Sequence, residues 1–276
     1  ALSQEARLFD YKWYAALAYI RANRLNHNVL QGPNDRFGLI ASGKAYNDTR
    51  QALLDLGLDD ETCRRIGIRL HKVAVVWPLE AQATREFATG LQEILVVEEK
   101  RQVIEYQIKE ELYNWRSDVR PVVLGKFNEA DEGGGEWSVP NPRASTLLRA
   151  NADLNPTLIA KAIAQRLLKL GVDADVASRI NAQLAIITAK EQAMSVSVVT
   201  ADRQPWFCSG CPHNTSTKVP EGSRAMAGIG CHFMSLWMDR STAGFTQMGG
   251  EGTPWVGQQP FVNDQHIFAN IGDGTY

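Results

Sequence analysis

The residues of this 276-residue chain best suited to chemistry lie in its last third. Cys208 and Cys211 form a Cys-x-x-Cys, which sets two thiolates on one tight turn where both reach the same metal centre. Cys231 follows 20 residues later and can fold back as a third ligand. A tetrahedral centre wants four ligands, which leaves two readings. A zinc site would be completed by His213 or His232. An iron–sulfur cluster would take its fourth thiolate from outside these residues. The spacing leaves both open. With four cysteines in all, a disulfide framework would be sparse, and the crowding of three of them favours metal or redox chemistry.

A second signal stands at the end of the chain. His266-Ile267-Phe268-Ala269-Asn270-Ile271 reads as a buried strand running into Gly272-Asp273-Gly274. A short carboxylate between two glycines at the carboxyl end of a strand suits a Mg²⁺–diphosphate site. The glycines let backbone N–H groups approach phosphate, and Asp273 offers one hard oxygen ligand. Alone, the tripeptide also fits an ordinary strand-to-loop turn.

Taken in order, Phe207-Cys208-Ser209-Gly210-Cys211-Pro212-His213, Gly228-Ile229-Gly230-Cys231 and Gly272-Asp273-Gly274 resemble the thiamine-diphosphate-binding part of 2-oxoacid:ferredoxin oxidoreductases. The stretch from Cys208 through Phe245-Thr246-Gln247-Met248-Gly249-Gly250-Glu251-Gly252 to Gly272 is similar to the long, fused indolepyruvate ferredoxin oxidoreductases in particular. More loosely, Ala41-Ser42-Gly43-Lys44-Ala45-Tyr46 and Leu95-Val96-Val97-Glu98-Glu99-Lys100-Arg101 resemble that family's transketolase-C-terminal-like domain.

The resemblance implies that Cys208, Cys211 and Cys231 bind a [4Fe–4S] cluster and that Asp273 ligates Mg²⁺. Gly272 and Gly274 would lie against the diphosphate of thiamine diphosphate, and Gly230 and Cys231 near the thiamine. It assigns no catalytic side chain within these residues. The implied reaction is oxidative decarboxylation of an arylpyruvate to an acyl-coenzyme A, with electrons passing to ferredoxin. Ferredoxin, coenzyme A, the 2-oxoacid, the remaining domains of the enzyme and a homo-oligomeric assembly are the implied partners. Read this way, the chain is an internal piece, inactive alone. From a different class comes a non-catalytic zinc-binding interaction module using Cys208, Cys211, Cys231 and a histidine.

The elements that must position these residues alternate. A helical pattern at 13–25 precedes the apolar run Phe37-Gly38-Leu39-Ile40-Ala41, an amphipathic stretch at 44–56 and a strand at 68–77 ended by Pro78. A helix at 81–90, the strand 93–97, a charged helix at 101–114 and the run 121–124 follow. This alternation predicts right-handed βαβ units and a mainly parallel, doubly wound sheet. Residues 128–153, with Gly133-Gly134-Gly135, Pro140 and Pro142, read as a linker. Asn155, Pro156 and Gly171 then bracket a helix, and another spans about 173–193. The expected division is a connecting helix and loop at 1–34, a transketolase-C-terminal-like domain at 35–127, linker and helices at 128–194, and the first part of a thiamine-diphosphate-binding α/β domain at 195–276.

Hydrophobic content of 44% and charged content of 22% suit a folded α/β protein. A net charge of −2 gives no nucleic-acid footprint, and no apolar run reaches membrane-spanning length, so the cytoplasm is expected. Gly38 to Lys44 nearly spells a phosphate-binding loop, but Ala45 replaces the hydroxyl residue and Leu39-Ile40-Ala41 reads as strand. Lys44 is expected in solvent at a helix start, Cys63 as an ordinary free thiol, and Glu98-Glu99-Lys100-Arg101 as a solvated turn. His27, His71 and His266 stand apart from other ligand types, whereas His213 and His232 adjoin cysteines. Trp206, Trp237 and Trp255 are expected in the core, with a border of the active site as the alternative for Trp255 in its glycine-rich loop.

Overall fold

The structure, a computed structural model, describes residues 2–128, 146–151, 153–195 and 203–276. The glycine and proline run expected as a linker and the Ser195–Val199 run fall wholly or largely outside them. Residues up to 195 belong to one compact unit and residues from 203 to a second.

The first unit begins with helices α1 (Leu2–Arg7) and α2 (Trp13–Ala22), joined by a π-helical turn at Leu8–Lys12. Its sheet is built from β1 (His27–Leu30), β2 (Phe37–Ser42), β3 (Ile68–Val73), β4 (Glu93–Val97) and β5 (Val122–Leu124) in the order β1-β3-β2-β4-β5. Strands β2 to β5 pair in parallel, and β1 adds antiparallel to β3 at the edge. The parallel reading therefore holds for four of the five strands. The edge strand, half polar and only four residues long, falls where a connecting loop is expected.

Helices α3 (Gly43–Asp55), α4 (Asp60–Ile66), α5 (Ala81–Ala88), α6 (Ile104–Leu112), α7 (Pro156–Leu170) and α8 (Ala174–Ser195) cover both faces. Strand β4 shows why. All five of its residues are buried; Leu95 and Val97 join the core of α3, α4, α7 and α8, whereas Ile94 and Val96 join that of α5 and α6. A strand with no wet face is apolar except where a buried partner meets a charge, as at Glu93. Helix α7 starts where Asn155 accepts the Leu158 N–H at 3.0 Å and ends at Gly171, whose φ of 80° suits glycine. It packs into the same core as the sheet, so it belongs to this unit. Burying Ile159, Ile163 and Leu167 stabilises by roughly 1.5–3 kcal/mol each. Arg166 on α7 grips Glu93 with two hydrogen bonds of 2.7 and 2.6 Å, both side chains being buried.

One local reading changes and one holds. Glu98 is buried, because its carboxylate accepts the Val103, Ile104 and Glu105 N–H groups that open α6. The near phosphate-binding loop is strand β2, and a Cβ at Gly38 would lie 2.5 Å from Leu91, leaving no room for phosphate.

The second unit carries a three-stranded parallel sheet, β6 (Ala225–Ala227), β7 (Thr242–Phe245) and β8 (Phe268–Ala269), in the order β7-β6-β8. The strand expected over 266–271 shortens to two exposed residues, since too little structure covers it to bury its apolar side chains. Trp206 and Trp237 are exposed instead of packed in the core. Trp206 lies under the Arg240 guanidinium and Trp255 under that of Arg224. Among the described residues, no helix is long and apolar enough to cross a membrane.

Candidate cofactor site

All the site residues expected from the sequence lie in the second unit. Cys208 and Cys211 share one turn, closed by the Cys211 N–H to Cys208 carbonyl bond of 3.1 Å and braced by the Asn214 amide on the same carbonyl at 3.0 Å. The chain next makes a one-turn helix, His213–Ser216, which brings His213 Nδ1 within 3.2 Å of Cys211 Sγ. The His213 ring stacks on Phe207 at 5.3 Å and lies 5.9 Å from the His232 ring.

His232 is the buried pivot. Burial, then the neighbouring His213, pushes its pKa down against the pull of Glu251. The neutral ring accepts the Gly228 N–H at Nε2, at 3.1 Å, which places its own proton on Nδ1. This bond fixes the Gly228-Ile229-Gly230-Cys231 loop. Gly230 adopts φ 155°, and a Cβ there would sit 2.7 Å from the His232 ring. Only glycine passes.

The Gly-Asp-Gly turn meets the same loop. A Cβ on Gly272 would lie 2.4 Å from the Ile229 carbonyl oxygen, so the two glycine-rich segments touch backbone to backbone. Glu251, missed in the sequence because it sits in a glycine-rich run, ties the region together. Its carboxylate accepts the Gly249 N–H and the Thr275 hydroxyl, both at 2.8 Å. Its pKa is lowered, although desolvation opposes this, because its own backbone N–H, the Thr275 hydroxyl and the Gly249 N–H favour the anion.

Asp273 is exposed, and Oδ1 accepts the Gly274 N–H at 2.9 Å. Its Oδ2 makes no hydrogen bond among the described residues, which fits one hard oxygen position around Mg²⁺. The cysteines fit less well. Cys208 and Cys231 are exposed and Cys211 is half-buried, and no three His, Cys, Asp or Glu side chains among the described residues are grouped to hold a metal ion. Contacts through His213 and His232 run between the Cys-x-x-Cys turn and Cys231, but the three sulfurs do not converge. Cys63 belongs to the first unit, where burial pushes its pKa up to about 12, an inert thiol. His266 stacks edge-on against Phe268 and Lys44 pairs with Asp48 at its helix start.

A parallel sheet covered on both faces places the first unit among doubly wound α/β domains. Residues 26–197 match the family model described as the indolepyruvate ferredoxin oxidoreductase middle domain, and the chain belongs to that family. Its curated relatives include the indolepyruvate oxidoreductase subunit IorA of Thermococcus kodakarensis, 26% identical over 274 residues, covering 92% of this chain and 36% of the relative. The IorA of Methanothermobacter marburgensis is 23% identical over 265 residues, covering 92% and 35%. The chain thus spans about a third of the length of the curated relatives it matches. Among solved structures, a split-gene transketolase is 15% identical with a TM-score of 0.33, covering 52% of this chain and 41% of that one. A 2-oxoglutarate:ferredoxin oxidoreductase from Magnetococcus marinus is 12% identical with a TM-score of 0.31, covering 51% and 19%. Scores this low carry no weight.

Proposed function

We propose that this chain forms part of a thiamine-diphosphate-dependent oxidoreductase that decarboxylates an arylpyruvate, passes electrons to ferredoxin and delivers the acyl group to coenzyme A. Family membership supports the class. The observation that carries the assignment to these residues is the backbone contact of Gly272 with Ile229. It joins the Gly-Asp-Gly turn to the glycine loop ending in Cys231, two segments far apart in sequence.

In this reading Asp273 supplies one Mg²⁺ ligand, and Gly272 and Gly274 keep the backbone open to the diphosphate. Gly230 and Cys231 border the thiamine, which when bound supplies the electron sink for loss of CO₂. Neutral His232 holds the loop through Gly228 and keeps its position independent of charge. Cys208, Cys211 and Cys231 are proposed as cluster thiolates. Their sulfurs would be drawn together by metal binding itself. The remaining domains of the full-length enzyme complete the site.

The test is Asp273→Ala in the full-length enzyme. Thiamine diphosphate should be lost on gel filtration while iron and acid-labile sulfide stay near wild-type levels. Cofactor retained in the variant removes Asp273 from the site. The same metal analysis separates the zinc-module reading, for which one zinc per chain and no iron is the signature.

A further inference from the structure

The first unit contains a polar cleft of about 540 Å³ at the β1 edge of its sheet, apart from every residue discussed above as a cofactor contact. Its lining is basic. Arg21, at the end of α2, is already matched, with Glu86 at 2.6 Å and Glu80 at 3.6 Å. Arg24 and Arg64 also line the cleft, and neither makes an ion pair among the described residues. Two exposed guanidinium groups with no carboxylate partner, beside a third that is neutralised, favour an anion.

The second, independent observation is His71, on β3. It lines the cleft yet is only 1% exposed. Its Nδ1 faces Asn28 Oδ1 at 2.8 Å, while the Asn28 amide donates to Gln31 Oε1 at 2.9 Å. That pairing makes Asn28 Oδ1 the acceptor and puts the imidazole proton on Nδ1. Burial, then nearby His27, pushes the His71 pKa down to about 3, so the ring is neutral. Its Nε2 is therefore a bare lone pair, and it finds no partner among the described residues. His27 Nδ1, in the same cleft, is likewise buried and unpaired. Orphaned buried nitrogens of this kind are uncommon in folded proteins and call for an explanation.

We propose that this cleft binds an oxyanion that carries its own hydroxyl group, namely hydrogen phosphate or a phosphate monoester, with Arg24 and Arg64 meeting the charge and the P–OH donating to His71 Nε2. A fully ionised oxyanion satisfies the arginines and leaves His71 unpaired. A neutral alcohol does the reverse. A protonated phosphate answers both halves of the site. Charge and hydrogen bonding thereby give selectivity that charge alone cannot.

The experiment is calorimetric titration of the full chain with inorganic phosphate and with sulfate, near pH 6.5, where phosphate retains a proton and sulfate has none. Phosphate should saturate one site, and sulfate should bind at least about tenfold more weakly, the factor expected from one hydrogen bond of roughly 1.4 kcal/mol. Arg24→Gln and Arg64→Gln, both on exposed side chains, should each weaken phosphate at least about tenfold, whereas Asp273→Ala should leave it unchanged. The His71 ring resonances should shift with phosphate and not with sulfate. A methyl phosphate arm distinguishes the sources: binding as tight as that of free phosphate marks a monoester site, and exclusion marks a site for the free ion. Equal affinity for phosphate and sulfate, binding indifferent to both arginine variants, or no saturable phosphate binding would overturn the proposal.

Discussion

The two units bury different kinds of residue. In the first, β2 and β4 disappear into two apolar cores, and the largest fully buried side chains are Phe37, Phe87 and a set of leucines and isoleucines. In the second, the buried hydrophobic residues among those described are Phe207, Ala225 and Ala227, beside the polar Thr217, His232, Ser235 and Arg240. Cohesion there comes from side chains bonded to nearby backbone. Thr217 donates to His213, His232 accepts from Gly228 and Ser235 donates to His232, with Thr242 donating to the Ser235 hydroxyl. Hydrophobic burial is non-directional and tolerant, whereas hydrogen bonds to loops fix particular backbone atoms. The first arrangement makes a scaffold, and the second holds particular loop backbone groups in place.

The sharpest way to break this contrast is to attack the buried Arg166–Glu93 charge pair, which links sheet to helix in the scaffold. Arg166→Ala strands Glu93 without its bidentate partner in a dry site, and such losses cost about 3–5 kcal/mol. Denaturant unfolding should show that drop. A loss below about 1 kcal/mol would mean that water or a rearranged neighbour reaches Glu93, and the scaffold would be less dry than its burial indicates.

For the loop unit the expected damage is local and sensitive to position. Gly272→Ala drives a Cβ to 2.4 Å from a carbonyl oxygen on a neighbouring segment, and backbone cannot yield as a flexible side chain does. It should cost about 1–3 kcal/mol and raise hydrogen exchange at Gly228 to Cys231. Gly274→Ala meets nothing nearer than the Met248 sulfur at 3.7 Å and should stay within about 0.5 kcal/mol. Equal effects at the two positions would remove the contact on which the cofactor assignment rests.

A pH dependence belongs to the scaffold. His71 has a folded pKa of about 3 against an ordinary 6.5. Between those values the unfolded chain binds a proton that the folded chain refuses. Stability from this group is therefore complete above pH 6.5 and falls as pH drops toward 3, by up to about 1.4 kcal/mol per pH unit. Unfolding measured at pH 7, 6 and 5 should show the slope, and His71→Gln should flatten it. A slope unchanged in the variant would assign it to other groups.

The scaffold was the legible half. Runs such as Phe37 to Ala41 and Glu93 to Val97 announce buried strands because both faces are covered, and Asn155, Pro156 and Gly171 carry their own capping chemistry. The edge strand His27–Leu30 was missed, since a strand paired on one side keeps polar residues. In the loop unit the order of the motifs was readable, but their contacts were not. Nothing local in the sequence says that Gly272 will touch Ile229, that Glu251 will hold Thr275, or that Trp206 and Trp237 will face solvent. Nor does periodicity reveal the cleft, whose arginines and histidines come from separate elements.

Glu98 shows the same limit on the scale of one side chain, and it yields the smallest expected effect. Within Glu98-Glu99-Lys100-Arg101 its charge argues for solvent, yet its carboxylate closes the first turn of α6. Oε1 accepts from Val103 at 3.0 Å and Ile104 at 2.6 Å, and Oε2 accepts from Glu105 at 3.0 Å. The orphan N–H groups of a helix start need acceptors, and an anion there also meets the positive end of the helix dipole. Glu98→Gln keeps the shape and one acceptor oxygen but points an amide donor at one of those N–H groups. It should cost about 1–2 kcal/mol in chemical denaturation, with faster exchange at the amide that loses its partner. Glu99→Gln next door caps nothing in α6 and keeps an oxygen for the Leu154 N–H, so it should cost less than about 0.5 kcal/mol. If the two substitutions cost the same, the cap contributes nothing, and the run is the solvated turn that its charges describe.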